Sequence, residues 1–188
     1  MLSTIAVGLA AIGFTMILAS AHVAADDDEA ILVKSLGAAK VSLQDGFAAS
    51  ERQGQPVSGK FEAEEGKLQL SVYTAKDGKY YEVIVDHMTG AIAKVEPITE
   101  GDDLAHAKSQ MTAMEKAKVK LMVAAARARE QAGAAIAVSA VPELQSGRAV
   151  AVGCSLEGRA IVNRFDTARL ADTPTSSSID GVLNDRAR

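Results

Sequence analysis

The amino-acid sequence predicts an α+β fold: a helix packed on an antiparallel β-sheet, built as two tandem units. Three observations carry this reading. The spacing of apolar residues changes from three or four to two just after Gly54, which marks the end of a helix and the start of strands. Turn sequences recur between the alternating runs, so the strands fold back on one another. A segment of the first half also returns in the second, the mark of a repeated unit.

Residues 27–39 (DDEAILVKSLGAA) read as a short helix or approach segment. Ser42 is then a suitable N-cap, because its hydroxyl can accept a free first-turn amide, and Asp45 favours the positive helix end. The helix is expected over Leu43–Gln53, with Leu43 and Phe47 forming one apolar stripe, and Gly54 and Pro56 ending it. Val57, Gly59, Phe61 and Ala63 then alternate with Ser58, Lys60, Glu62 and Glu64. Leu68, Leu70 and Val72 follow with the same period, as do Tyr81, Val83 and Val85. Between the last two runs, Ala75-Lys76-Asp77-Gly78 is a hairpin signal, with Gly78 free to take positive φ. Asp86–Gly90 is a second turn, and Ala91–Glu96 a short last strand before Pro97 and Gly101. In both turns the residue types have a structural use: Asp77 and Gly78 make the hairpin turn, Asp86 can accept nearby amides, and Gly90 closes its turn.

Residues 102–132 contain neither Gly nor Pro and are helical in composition, with a bend expected near 117–120 where the second unit begins. Residues 39–53 and 117–131 share six of fifteen positions, including Ala-Lys-Val-x-Leu. Asp77-Gly78-Lys79 falls on Glu157-Gly158-Arg159, and Asp86 on Asp166, but residues 68–91 and 148–171 share only four of twenty-four positions. The second copy is therefore degenerate, with Ala149–Val152 and Ala160–Phe165 as its expected strands. It holds one aromatic residue, Phe165, where the first holds Phe47, Phe61, Tyr73, Tyr80 and Tyr81. Aromatic burial contributes more than alanine burial, so the second copy is expected to be the less stable half. The boundaries that follow are 1–25, 26–100, 101–171 and a polar, Ser/Thr-rich tail at 172–188 read as disordered.

The 188 residues are 48% hydrophobic and 23% charged with a net charge of −4, values that exclude a disordered or collagen-like chain. An acidic balance also argues against a nucleic-acid binder. Ile5–Ala19 is almost wholly apolar, small residues follow, and Asp26-Asp27-Asp28-Glu29 begins abruptly after Ala25. This is the layout of a secretory signal cleaved after Ala25, although no Lys or Arg precedes the apolar run. The rival is an uncleaved membrane anchor, the one route by which a membrane enters the reading. Both place the remainder outside the cytoplasm, in the periplasm or secreted. Cys154 is the single cysteine, so no internal disulfide forms.

Residues 39–92 resemble the PepSY repeat. The likeness rests on Ser42-Leu43 opening the helix, the Glu-rich strand Phe61–Glu65, Tyr81-Glu82-Val83 after a hairpin, and Val85-Asp86-His87-Met88-Thr89-Gly90. Residues 117–171 resemble it weakly, lacking the Tyr-Glu-Val and Thr-Gly elements. The family occurs in propeptides of secreted metallopeptidases and in small exported bacterial proteins. The resemblance thus implies a non-catalytic module that binds a protein or peptide, with binding or inhibition of an extracytoplasmic peptidase as its role.

No HExxH, GxSxG, CxxC, Walker A or GxGxxG sequence is present, so no catalytic or cofactor-binding residue is assigned. The face opposite the helix carries Tyr73, Tyr80, Glu82 and Ile84, the expected partner-binding surface. The alternative is that the second copy or helix 102–132 covers it. His87 beside Asp86, and His106 four residues after Asp102, are read as a surface histidine and a helical pair. A small-ligand or metal-sensing module using Asp86, His87 and the acids 26–29 is the competing function, and an anchored accessory subunit the third.

Overall fold

A computed structural model of the chain describes residues 30–132, 136–157, 160–163 and 168–169. Ala25, the acidic run 26–29, the turn residues Gly158 and Arg159, and the tail 172–188 lie outside these residues. The fold is α+β. A helical segment, α1 (30–36), precedes α2 (Leu43–Ser50). Four strands follow: β1 (Gln55–Glu64), β2 (Lys67–Lys76), β3 (Lys79–Val85) and β4 (Ile92–Ile98). Two helices, α3 (Gly101–Glu115) and α4 (Leu121–Ala132), lead to β5 (Ile136–Ala137), β6 (Ser139–Gln145), β7 (Arg148–Val152), β8 (Cys154–Glu157), β9 (Ala160–Asn163) and β10 (Ala168–Arg169).

Ser42 and Asp45 form a reciprocal cap on α2. The Asp45 amide donates to Ser42 Oγ at 3.2 Å, and the Ser42 amide donates to Asp45 Oδ2 at 3.1 Å, so two otherwise free donors are satisfied. The helix stops at Ser50, three residues before the expected end. Ser50 Oγ donates to the Phe47 carbonyl, and the Gln53 amide donates to the Ser50 carbonyl, tightening residues 51–53 into turns. Gly54 then passes against the Ala75 carbonyl of β2, where a Cβ would lie 2.7 Å from the oxygen.

Leu43 and Phe47 drive into the sheet against Leu70, Val72, Val83 and Val85, all of them buried. The close approach depends on Gly59 of β1. A Cβ there would lie 2.5 Å from Phe47 Cε1. The hairpins β1–β2, β2–β3 and β6–β7 each turn through two left-handed residues: Glu65-Gly66, Asp77-Gly78 and Ser146-Gly147. Positive φ at both positions matches the twist of paired strands.

The halves do not form separate sheets. One seven-stranded antiparallel sheet runs β10-β7-β6-β1-β2-β3-β4, and a three-stranded sheet runs β5-β8-β9. The seam is short: Gly59 pairs Ala140, Lys60 pairs Ser139, and the Phe61 amide donates to the Val138 carbonyl. The stretch aligned with β2 breaks at Gly153 into β7, which pairs β6, and β8, which pairs β5 and β9. The expected strand at Ala149–Val152 therefore does not pair with the one beginning at Ala160. Cys154 opens β8, half-buried.

The long helical stretch is also divided. α3 ends at Glu115 and α4 begins at Leu121, although no Gly or Pro intervenes. The reason is a change of face. α3 lies on the outer side of the sheet, where Gln110 accepts from Ser58 Oγ at 2.7 Å. α4 joins α2 on the inner side, burying Leu121, Ala124 and Ala125 in the common core. The result is three layers, with the outer one covering only part of the sheet.

Candidate functional site: an acidic groove on the outer sheet face

Residues alternate between the faces of a strand, and the ladder sets the outward ones in rows. Ser58 stands opposite Tyr73, Tyr73 opposite Glu82, and Glu82 opposite Glu96. The next row is Lys60, Ser71, Ile84 and Lys94, and Glu62 faces Gln69 beyond it. α3 covers the Ser58 end through Gln110 and meets Tyr73 through Asp103. The uncovered part is a concave groove of about 440 Å³.

Six carboxylates and two lysines line the groove: Glu62, Glu64, Glu65, Glu82, Glu96 and Asp103 against Lys60 and Lys94. Lys60 bridges Glu62 at 2.6 Å and Lys94 bridges Glu96 at 2.8 Å. Four negative charges are left over. Glu82 faces Glu96 directly across the ladder, an arrangement that destabilises a sheet. It is eased by Ser71 Oγ, which donates to Glu82 Oε1, and by the Lys94 ammonium at Glu96.

Tyr73 forms part of the floor. Its hydroxyl donates to Asp103 Oδ1 at 2.8 Å. Burial pushes its pKa above the ordinary tyrosine value, and the Asp103 hydrogen bond and the negative charges of Asp103, Glu82 and Glu62 push the same way. The phenol therefore stays protonated as a fixed donor. On the exposed rim, the hydrogen bond and charge of Glu96 hold the Lys94 ammonium pKa above its usual value.

Of the four residues expected to bind a partner, Tyr73, Glu82 and Ile84 line the groove. Tyr80 lies at the start of β3, half-buried, paired with Ala75 and Ile98 away from it. The surface is thus acidic with a small apolar floor, where the sequence suggested an apolar patch. Strand parity already placed Lys60, Glu62 and Glu64 on one face. Asp103 comes from a helix remote in sequence, and no local signal points to it.

The Asp86 turn is closed on itself. Asp86 Oδ1 accepts from the amides of Met88 and Thr89 at 2.9 and 2.8 Å and from Thr89 Oγ1 at 3.0 Å. These bonds, led by the Thr89 amide, hold the carboxyl pKa below its ordinary value. Gly90 takes φ +75° and its amide donates to the Asp86 carbonyl at 2.8 Å. Asp77 and Gly78 form the β2–β3 turn at φ +51° and +73°. The His87 carbonyl accepts from Lys40 and Val41, fastening the approach to α2. His106 is exposed on α3 beside a smaller hollow of about 190 Å³. Among the described residues no three of His, Cys, Asp or Glu converge as metal ligands, and no helix is long and apolar enough to cross a membrane.

A second concavity of about 420 Å³ lies on the inner side, floored by Phe47, Met114, Leu121 and Met122. Its rim carries the Lys120–Glu51 contact at 3.4 Å. Comparison with protein-family models, with curated proteins and with solved structures finds no match to this chain.

Proposed function

We propose that this protein is an exported, non-catalytic binding module that captures a basic stretch of a partner polypeptide in the outer-face groove. The observation that carries the reading is the row of groove carboxylates that no cation bridges among the described residues, over a floor of Tyr73 and Ile84. A concave site of one charge sign concentrates ligands of the opposite sign and speeds their arrival. A small apolar floor beneath it holds the aliphatic stems of Lys or Arg. Ser71 and Lys94 ease the repulsion of Glu82 and Glu96, and a bound cation would relieve it further. The PepSY-like run at residues 39–92 supports an extracytoplasmic peptidase as the partner class.

The test is binding of a labelled Lys-rich peptide followed by fluorescence anisotropy. Binding is expected to weaken with added salt, because exposed charges are screened over about 8–10 Å at physiological ionic strength. It is also expected to weaken in Glu62→Gln/Glu64→Gln. Equal binding by this variant would remove the groove from the account. Turnover of a substrate by the purified chain would remove the non-catalytic reading.

A further inference from the structure

β4 is the last strand of the large sheet, and among the described residues nothing pairs with its outer edge. Residues 93–97 are all exposed, and Val95 at the centre of the seven is one of the exposed large apolar side chains. Pro97 shows which way the backbone points. It stands opposite Tyr81 in the ladder, and a proline in a strand turns its nitrogen away from its neighbour. By the alternation of an antiparallel ladder, the N–H and C=O of Val95, two residues earlier, also face outward.

We propose that β4 pairs with β4 of a second copy of this chain, antiparallel, about a two-fold axis at Val95. The charges of β4 are self-complementary across that axis. In that register Lys94 meets Glu96 of the partner subunit and Glu96 meets the partner's Lys94, with regular pairing centred on residues 94–96 because the ladder shifts between Lys94 and Ile92. The two Val95 residues exchange a pair of backbone hydrogen bonds. Opposite charges directly across a ladder are stabilising and like charges destabilising. Moving the axis to Lys94 or to Glu96 sets like charges against each other, so the sequence selects one register. Edge lysines and prolines usually prevent strand pairing. Here they exclude the wrong registers, and Pro97 still offers its carbonyl. Because Lys94 and Glu96 also line the groove, the grooves of the two copies abut across the axis. The dimer does not depend on what the groove binds, so loss of one is read separately from loss of the other.

The test is sedimentation velocity on the full chain. The paired segment is short and makes a small interface, so a dissociation constant on the order of 10–100 µM is expected. Lys94→Glu and Glu96→Lys each set like charges opposite one another and should weaken the dimer roughly tenfold or more. An equimolar mixture of the two variants restores opposite charges across the pair and should dimerise again. Val95→Pro removes only outward N–H groups and should abolish the dimer, with an unchanged circular dichroism spectrum confirming the fold. A monomer throughout about 1–200 µM overturns the proposal. So does a dimer indifferent to these variants, and so does a mixture that stays monomeric.

Discussion

Gly59→Ala is a test of how α2 sits on the sheet. Gly59 is not among the glycines at positive φ, so a methyl group there strains no dihedral. On backbone grounds alone the change should stabilise by about 0.4–1 kcal/mol, through the unfolded chain. Packing gives the opposite sign. The new Cβ would lie 2.5 Å from Phe47 Cε1, 3.0 Å from Cζ and 3.3 Å from Leu43 Cδ1. Carbon atoms pack best at about 3.5–4.0 Å, so the ring must retreat by roughly 1 Å. Phe47 is only 2% exposed and has nowhere to go. Overpacking of this kind costs about 1–3 kcal/mol, and with three contacts inside van der Waals range the upper part of that span applies, which leaves a net loss of about 1–2.5 kcal/mol. Urea unfolding should show a lower midpoint at unchanged m. Adding Phe47→Leu should recover part of the loss, with a coupling of about 0.5–3 kcal/mol in the double-mutant cycle. A neutral or stabilised Gly59→Ala would refute the packing of α2 against β1.

Further outcomes follow from the same geometry. Asp86 has a lowered pKa in the folded state, so its stabilisation is present above the ordinary carboxylate value and is lost as pH falls through the lower folded one. Asp86→Ala should therefore melt below the parent at pH 7, and the gap should close from about pH 4 downward. Tyr73 has a raised pKa, so ultraviolet titration should show one tyrosine ionising above the ordinary tyrosine range, and Asp103→Asn should bring it earlier. By the same linkage the stability that Tyr73 contributes falls as pH rises above about 10. Hydrogen exchange should be faster in β6 and β7 than in β2 and β3. Their core is largely alanine, and they join the first half through two residue pairs and one further hydrogen bond. Equal protection would contradict that ranking.

Local chemistry explains why much of this fold is legible in the amino-acid sequence. The Ser42 cap, the Asp77-Gly78 turn and the Asp86–Gly90 turn are each written in a few adjacent residues. The alternation from Val57 to Val85 places β1, β2 and β3 and separates their faces. What the sequence does not carry is long-range. The repeat locates the break at 116–120, but its cause, the sheet that separates α3 from α4, leaves no Gly or Pro there. The joining of β1 to β6 rests on backbone pairing that no side-chain pattern announces. The repeat aligns Asp77-Gly78 with Glu157-Gly158 but conceals the break at Gly153. At the groove, Tyr73, Glu82 and Ile84 are visible from strand parity. Asp103 reaches Tyr73 from thirty residues away in the chain, so its place in the groove has no local signal.

The most direct test of partner capture by the outer face is a titration of the isotope-labelled protein with a Lys-rich peptide, followed amide by amide in NMR spectra. Shifts should gather at residues 60–64, 69–73 and 82–84, with α2 and the inner concavity silent. Shifts centred on Phe47, Met114 and Leu121, or none at all, would contradict it.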